Sequence, residues 1–114
     1  MERRTVPATG SGGGGGAGSG GDACDISFDV DLSGVNIAVA QTVSVGEVLS
    51  VDLDNINGFD VVVCRKQANM QVVGSVAAIP QLGQLIGCLR SGRVYTATVA
   101  ACNVSIVTVH VELV

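Results

Sequence analysis

The sequence predicts a β-rich domain, all-β or α+β, built as a small curved sheet or partly closed β-barrel of about six to seven strands with one helix. Three observations predict it. Valine is abundant while helical periodicity is weak along most of the chain. Several stretches alternate apolar and polar residues with the period of a strand. Only one stretch, between Leu82 and Leu89, repeats its large apolar residues at the helical period. A curved or partly closed sheet buries the valines and leaves few strand edges bare.

A chain of 114 residues allows one domain and one core. Residues 1–21 include SGGGGGAGSGG and read as a disordered, solvated tail with nothing to bury. Residues 22–114 read as the single folded domain. With no Trp, and with Phe28, Phe59 and Tyr95 as its aromatics, that domain must build its core from Val, Ile and Leu.

Residues 25–32, DISFDVDL, set Ile26, Phe28, Val30 and Leu32 on one side and Asp25, Ser27, Asp29 and Asp31 on the other. After a turn at Ser33-Gly34, residues 35–43 read as a second strand, with Val35, Ile37 and Val39 on one face. Residues 47–54 form a third, followed by the turn NING at residues 55–58. Residues 59–65 carry Val61, Val62 and Val63 in a row, which predicts burial on both faces. Residues 70–76, 93–101 and 104–114 complete the strands, the last two joined by a turn at Cys102-Asn103.

The helix follows from Leu82, Leu85, Ile86 and Leu89, spaced i, i+3, i+4 and i+7. Pro80 suits its first turn, Arg90 its last, and Gly92 the left-handed residue that ends it. Gly83 and Gly87 each cost about 1 kcal/mol of helix propensity, so packing must hold the helix. These two glycines are expected to let the sheet approach closely.

The formal net charge is −4, and acidic residues dominate the body. That argues against tight, nonspecific polyanion binding, which needs clustered Lys and Arg. Cys24, Cys64, Cys88 and Cys102 contain no C-x-x-C pair, so no zinc or redox motif is expected. The cysteines are expected to be reduced, mostly buried thiols, a disulfide requiring an oxidising compartment. Arg3 and Arg4 lead into glycines rather than an apolar segment, and no apolar run reaches transmembrane length. The expectation is a soluble cytoplasmic protein without cofactor, metal or membrane contact.

Catalytic signals fail one by one. Asp29 to Gly34 begins like a calcium loop, D-x-D-x-S-G, but its twelfth position is Ala40 where a bidentate Glu is needed. His110, the one histidine, lies in an alternating strand with Thr108 and Glu112, and no nucleophile motif accompanies it. The tail glycines lack the Lys-Ser/Thr of a phosphate loop. No enzyme is expected.

One local motif carries a resemblance. Asp54, Asn57, Phe59 and Asp60 are followed by Val73-Gly74, then Pro80, Leu82, Leu85 and Leu89, then Gly92 and Tyr95. This order resembles the HIRAN domain, a small β-barrel module of some helicase-like proteins. Asn55 stands where that family usually has proline, Val61 where an Asn-Ala pair often begins, and Ser75 where an aromatic often follows the glycine. The resemblance implies recognition of single-stranded DNA ends, with Phe59 or Tyr95 stacking a base and Arg65, Lys66, Arg90 or Arg93 on phosphate. Because basic residues are sparse, the preferred expectation is a non-catalytic interaction module that binds a protein partner, with the acidic first strand as a candidate contact. The HIRAN-like DNA-end binder is the alternative.

Overall fold

The computed structural model describes residues 23–114, so the expected tail at residues 1–21 lies outside the described residues. The elements are β1 (Phe28–Asp31), α1 (Ile37–Ala40), β2 (Val48–Ile56), β3 (Phe59–Lys66), β4 (Val72–Val76), α2 (Leu82–Arg90), β5 (Tyr95–Cys102) and β6 (Val107–Leu113). The strands make one six-stranded antiparallel sheet in the order β1-β6-β5-β2-β3-β4. The sheet does not close into a barrel. Its two edges meet at a single bridge between Ser33, just past β1, and Ser75 of β4.

Alternation decides which face is buried. Val30, Leu49, Val51, Val62, Val99, Val107, Val109 and Val111 point to one side and join one cluster. Fully burying such a side chain contributes roughly 1.5–3 kcal/mol before conformational entropy is charged against it. Both helices lie on this face: α1 contacts β4, and α2 contacts β2. Leu85 and Cys88 are the buried residues of α2, with Leu82, Ile86 and Leu89 packed at its margin. The helix ends as the sequence indicates. Gly92 has φ +96°, its N–H bonds Leu89 O, and the Arg93 N–H bonds Cys88 O, both at 3.1 Å, which is the Schellman arrangement. On β3, Val62 and Val63 are both buried although they face opposite ways, as the valine run predicts.

Four expectations need correction. Residues 35–43 are not a strand. Asn36 caps a single helical turn, its side chain accepting from the Val39 N–H, and Val39 and Ala40 are buried in the core. The described residues therefore hold two helices rather than one, with six strands. Gly83 and Gly87 are not a close-approach surface: both are exposed, and a Cβ on either would touch nothing within 4 Å. The glycine that does permit close approach is Gly74. A Cβ there would lie 2.9 Å from Leu32 Cβ and 3.1 Å from Ser33 O, so only glycine lets the chain past β1 cross β4 and form its bridge.

The fourth correction concerns the cysteines. Cys24 and Cys88 form a disulfide that ties the segment before β1 to α2, while Cys64 and Cys102 are free. The Tyr95 hydroxyl donates to the Cys24 carbonyl and fastens the same segment to β5. Among the described residues, no helix is long and apolar enough to cross a membrane.

Candidate functional site

Of the residues singled out by sequence, Asp54, Asn57, Phe59, Asp60 and Arg65 lie on the β2–β3 hairpin. Its turn is Asn57-Gly58, with φ of +54° and +83°, the positive pair required by a two-residue type I′ turn. The turn fixes the register from Ile56↔Phe59 back to Leu49↔Lys66. β5 pairs with β2 only over Val48 to Ser50, and β4 pairs with β3 only as far as Val62. The rungs Asp54↔Val61, Asn55↔Asp60 and Ile56↔Phe59 are therefore flanked by no other strand. At about 3.3 Å per residue, this tip projects by about 10 Å.

Phe59, at the end of the projection, is 73% exposed, and Ile56 opposite it is 50% exposed. A large apolar pair on a projecting tip is informative, because most exposed apolar residues on small domains occur singly. The tip is stiffened by polar contacts behind it. Arg65 reaches across the outer face of the ladder to Asp54 and Asp52, the latter at 3.3 Å, and donates to the Met70 carbonyl at 3.1 Å. On the other face, Asp60 pairs with Arg90 of α2 and accepts from the Asn55 amide at 3.3 Å.

The predicted cations thus divide. Arg65 and Arg90 are paired with carboxylates at the hairpin. Lys66 is buried at the opposite end, where its Nζ bonds the Thr42 carbonyl at 2.9 Å and Thr42 Oγ1 at 3.0 Å and pairs with Glu47 at 3.4 Å. It anchors the loop after α1. Arg93 is half-buried just before β5. Tyr95 is 1% exposed and offers no ring face to a base. Asp54, Asn57 and Asp60 all belong to the hairpin, whereas Gly74 serves the bridge on the far edge. The structure puts Phe59 on the same face of the hairpin as Arg65, Asp52 and Asp54, leaves Arg90 with Asp60 on the opposite face, and does not bring Lys66 or Tyr95 to that place.

Ile56 is the tip residue that sequence reasoning missed. The Asn-Gly pair between two apolar runs signals a two-residue hairpin, and that register alone puts Ile56 opposite Phe59. A thiol site is absent at Cys64, where burial first and the nearby Asp52 carboxylate second push the thiol up to about 12. No group of His, Cys, Asp or Glu among the described residues is arranged to hold a metal ion. Comparison with family models, with curated proteins and with solved structures finds no match.

Proposed function

We propose that this chain is a small non-catalytic interaction module that binds a protein partner through the tip of the β2–β3 hairpin. The observation that carries this reading is the exposure of Phe59 beside Ile56 on a strand pair that projects beyond the sheet. Binding energy at protein interfaces concentrates in a few large anchors surrounded by polar residues that exclude water. Phe59 and Ile56 have the character of such an anchor, and Asp54, Arg65, Asp60 and Arg90 form the polar surround. The type I′ turn and the ion pairs behind the tip hold the anchor in place before binding, which lowers the entropic cost of association.

The test compares proteins retained by the full chain with those retained by Phe59→Asp and by Gln67→Ala, an exposed site in the turn after β3. The reading expects a partner kept by the parent and by Gln67→Ala and lost with Phe59→Asp, at an unchanged melting temperature. If every retained protein survives Phe59→Asp, the tip is not the contact.

The exposed ring is also what a HIRAN-like binder of single-stranded DNA ends would use to stack a base, with Arg65, Lys66, Arg90 or Arg93 on phosphate. That reading is second. Arg65, Lys66 and Arg90 are already matched to carboxylates, and Tyr95 is buried. The Cys24–Cys88 disulfide further supports an oxidising compartment rather than the cytoplasm. A single-stranded oligonucleotide that shifts the NMR signals of Phe59 and Arg90 at low salt, and fails to do so with Phe59→Ala, would reverse the order of the two.

A further inference from the structure

β1 is an edge strand, and among the described residues no strand pairs along its outer side. The bond from the Leu32 N–H to Val107 O, at 2.9 Å, marks Leu32 as a residue bonded to the β6 side. By antiparallel alternation, Val30 and Phe28 exchange bonds with β6 as well, through the rungs Val30↔Val109 and Phe28↔Val111. Asp29 and Asp31 therefore aim their N–H and C=O groups away from β6. Ser33, next in that series, shows what such groups take up: it exchanges two bonds with Ser75 at 2.8 Å each. The series of bonds to the far edge stops there. Alongside β1 a cleft of about 390 Å³ opens, lined by Asp29, Val30, Asp31, Ala78 and Thr108.

We infer that this cleft takes an extended peptide with Lys or Arg at alternate positions, which adds to β1 as a further antiparallel strand. Its main chain would use the outward N–H and C=O groups of Asp29 and Asp31, the mode by which exposed sheet edges capture peptides. Charge sets its composition. The Asp29 and Asp31 side chains stand on the same face, and residues directly opposite them on an added strand lie within pairing reach. Each carboxylate is oriented from behind, Asp29 by His110 Nδ1 at 2.6 Å and Asp31 by the Thr108 hydroxyl at 2.5 Å. A second copy of the chain does not fit. Antiparallel pairing of two β1 edges about Val30 would set Asp29 against the Asp31 of the other copy, and like charges directly opposite are destabilising. This site is separate from the hairpin tip and stands or falls independently of it.

The experiment is an NMR titration of the full chain with a capped hexapeptide alternating lysine and valine. Two companions accompany it: glutamate in place of lysine, and N-methylation of the backbone nitrogens on one edge. The proposal expects shifts confined to residues 27–33, 77–79 and 108–110. It expects no binding of the glutamate peptide, and loss of binding when the N-methylated edge faces β1. With Asp29→Asn/Asp31→Asn, affinity should fall by about tenfold, as for removal of paired charges at an interface. Phe59→Asp should leave it unchanged. The inference is overturned if the lysine peptide does not bind. It is equally overturned if shifts spread over Asp52 and Asp54 with the N-methylated peptides binding as well as the parent, or if Phe59→Asp abolishes the binding.

Discussion

Cys64 and Gly74 face each other across the β3–β4 ladder, and each makes a prediction of its own. The Cys64 thiol is raised from 9.0 to about 12, chiefly by burial. In the unfolded chain it loses its proton near the ordinary value, so between about 9 and about 12 the unfolded state binds fewer protons than the folded one. Stability is therefore unaffected by this group below that window and declines through it, by about 1.4 kcal/mol per pH unit at most. Urea unfolding of the parent and of Cys64→Ala across this range should show a steeper alkaline decline in the parent. Parallel slopes would mean the thiol ionises freely in the folded protein. Gly74→Ala should cost about 1–3 kcal/mol, because the new methyl meets Leu32 Cβ and the Ser33 carbonyl and neither can move without loosening the bridge. Loss of protection from hydrogen exchange at Ser33 and Ser75 would locate the damage, and a neutral substitution would show that the two edges do not need their contact.

The elements differ in how far the sequence announces them. Alternation in DISFDVDL places Ile26, Val30 and Leu32 inside and Asp25, Asp29 and Asp31 outside, as observed, because an edge strand with one wet face has a strict period of two. The i, i+3, i+4, i+7 spacing finds α2, and Leu85, its most buried residue, sits at the centre of the stripe. Leu85→Ala should therefore cost about 2–5 kcal/mol in chemical unfolding. A change below about 0.5 kcal/mol would place the residue at the surface. Residues 35–43 mislead because β-branched Val35, Ile37 and Val39 favour a strand locally, while the Asn36 cap and burial of Val39 and Ala40 select one turn of helix. The Arg65 partners were legible only after a register was imposed. Once Asn57-Gly58 pairs Ile56 with Phe59, Ser50 falls opposite Arg65 and Asp52 and Asp54 line up beside it. The exposure of Phe59 follows from the same register together with the shortness of the β4 and β5 contacts, and that shortness has no local signature.

At the scale of the whole molecule, the disulfide lies furthest from anything spacing alone reveals. Four cysteines allow three pairings, and sequence distance does not choose among them. The choice is made by topology. The segment before β1 passes close to α2, held by Tyr95 at the Cys24 carbonyl and by Gln84 at the Ala23 carbonyl, and this brings Cys24 to Cys88. The bond spans 64 residues and encloses β1 through β4 and most of α2. Closing a loop of that length removes about 4 kcal/mol of conformational freedom from the unfolded chain in the simplest entropic account. A small domain whose core is mostly valine, with no Trp, has little margin with which to replace it. Reduction, or the double replacement Cys24→Ala/Cys88→Ala, should therefore lower stability by about 2–5 kcal/mol. For a domain of this size each kcal/mol moves the thermal midpoint by about 4–8 °C, so calorimetry with and without reductant should separate the two forms by about 8 °C or more. The double variant should melt where the reduced parent does and should lose its sensitivity to reductant. Thiol titration of the parent unfolded without reductant should find Cys64 and Cys102 alone. Four titratable thiols together with a midpoint indifferent to reductant would show that the bond does not form. The domain would then stand on its valine core alone.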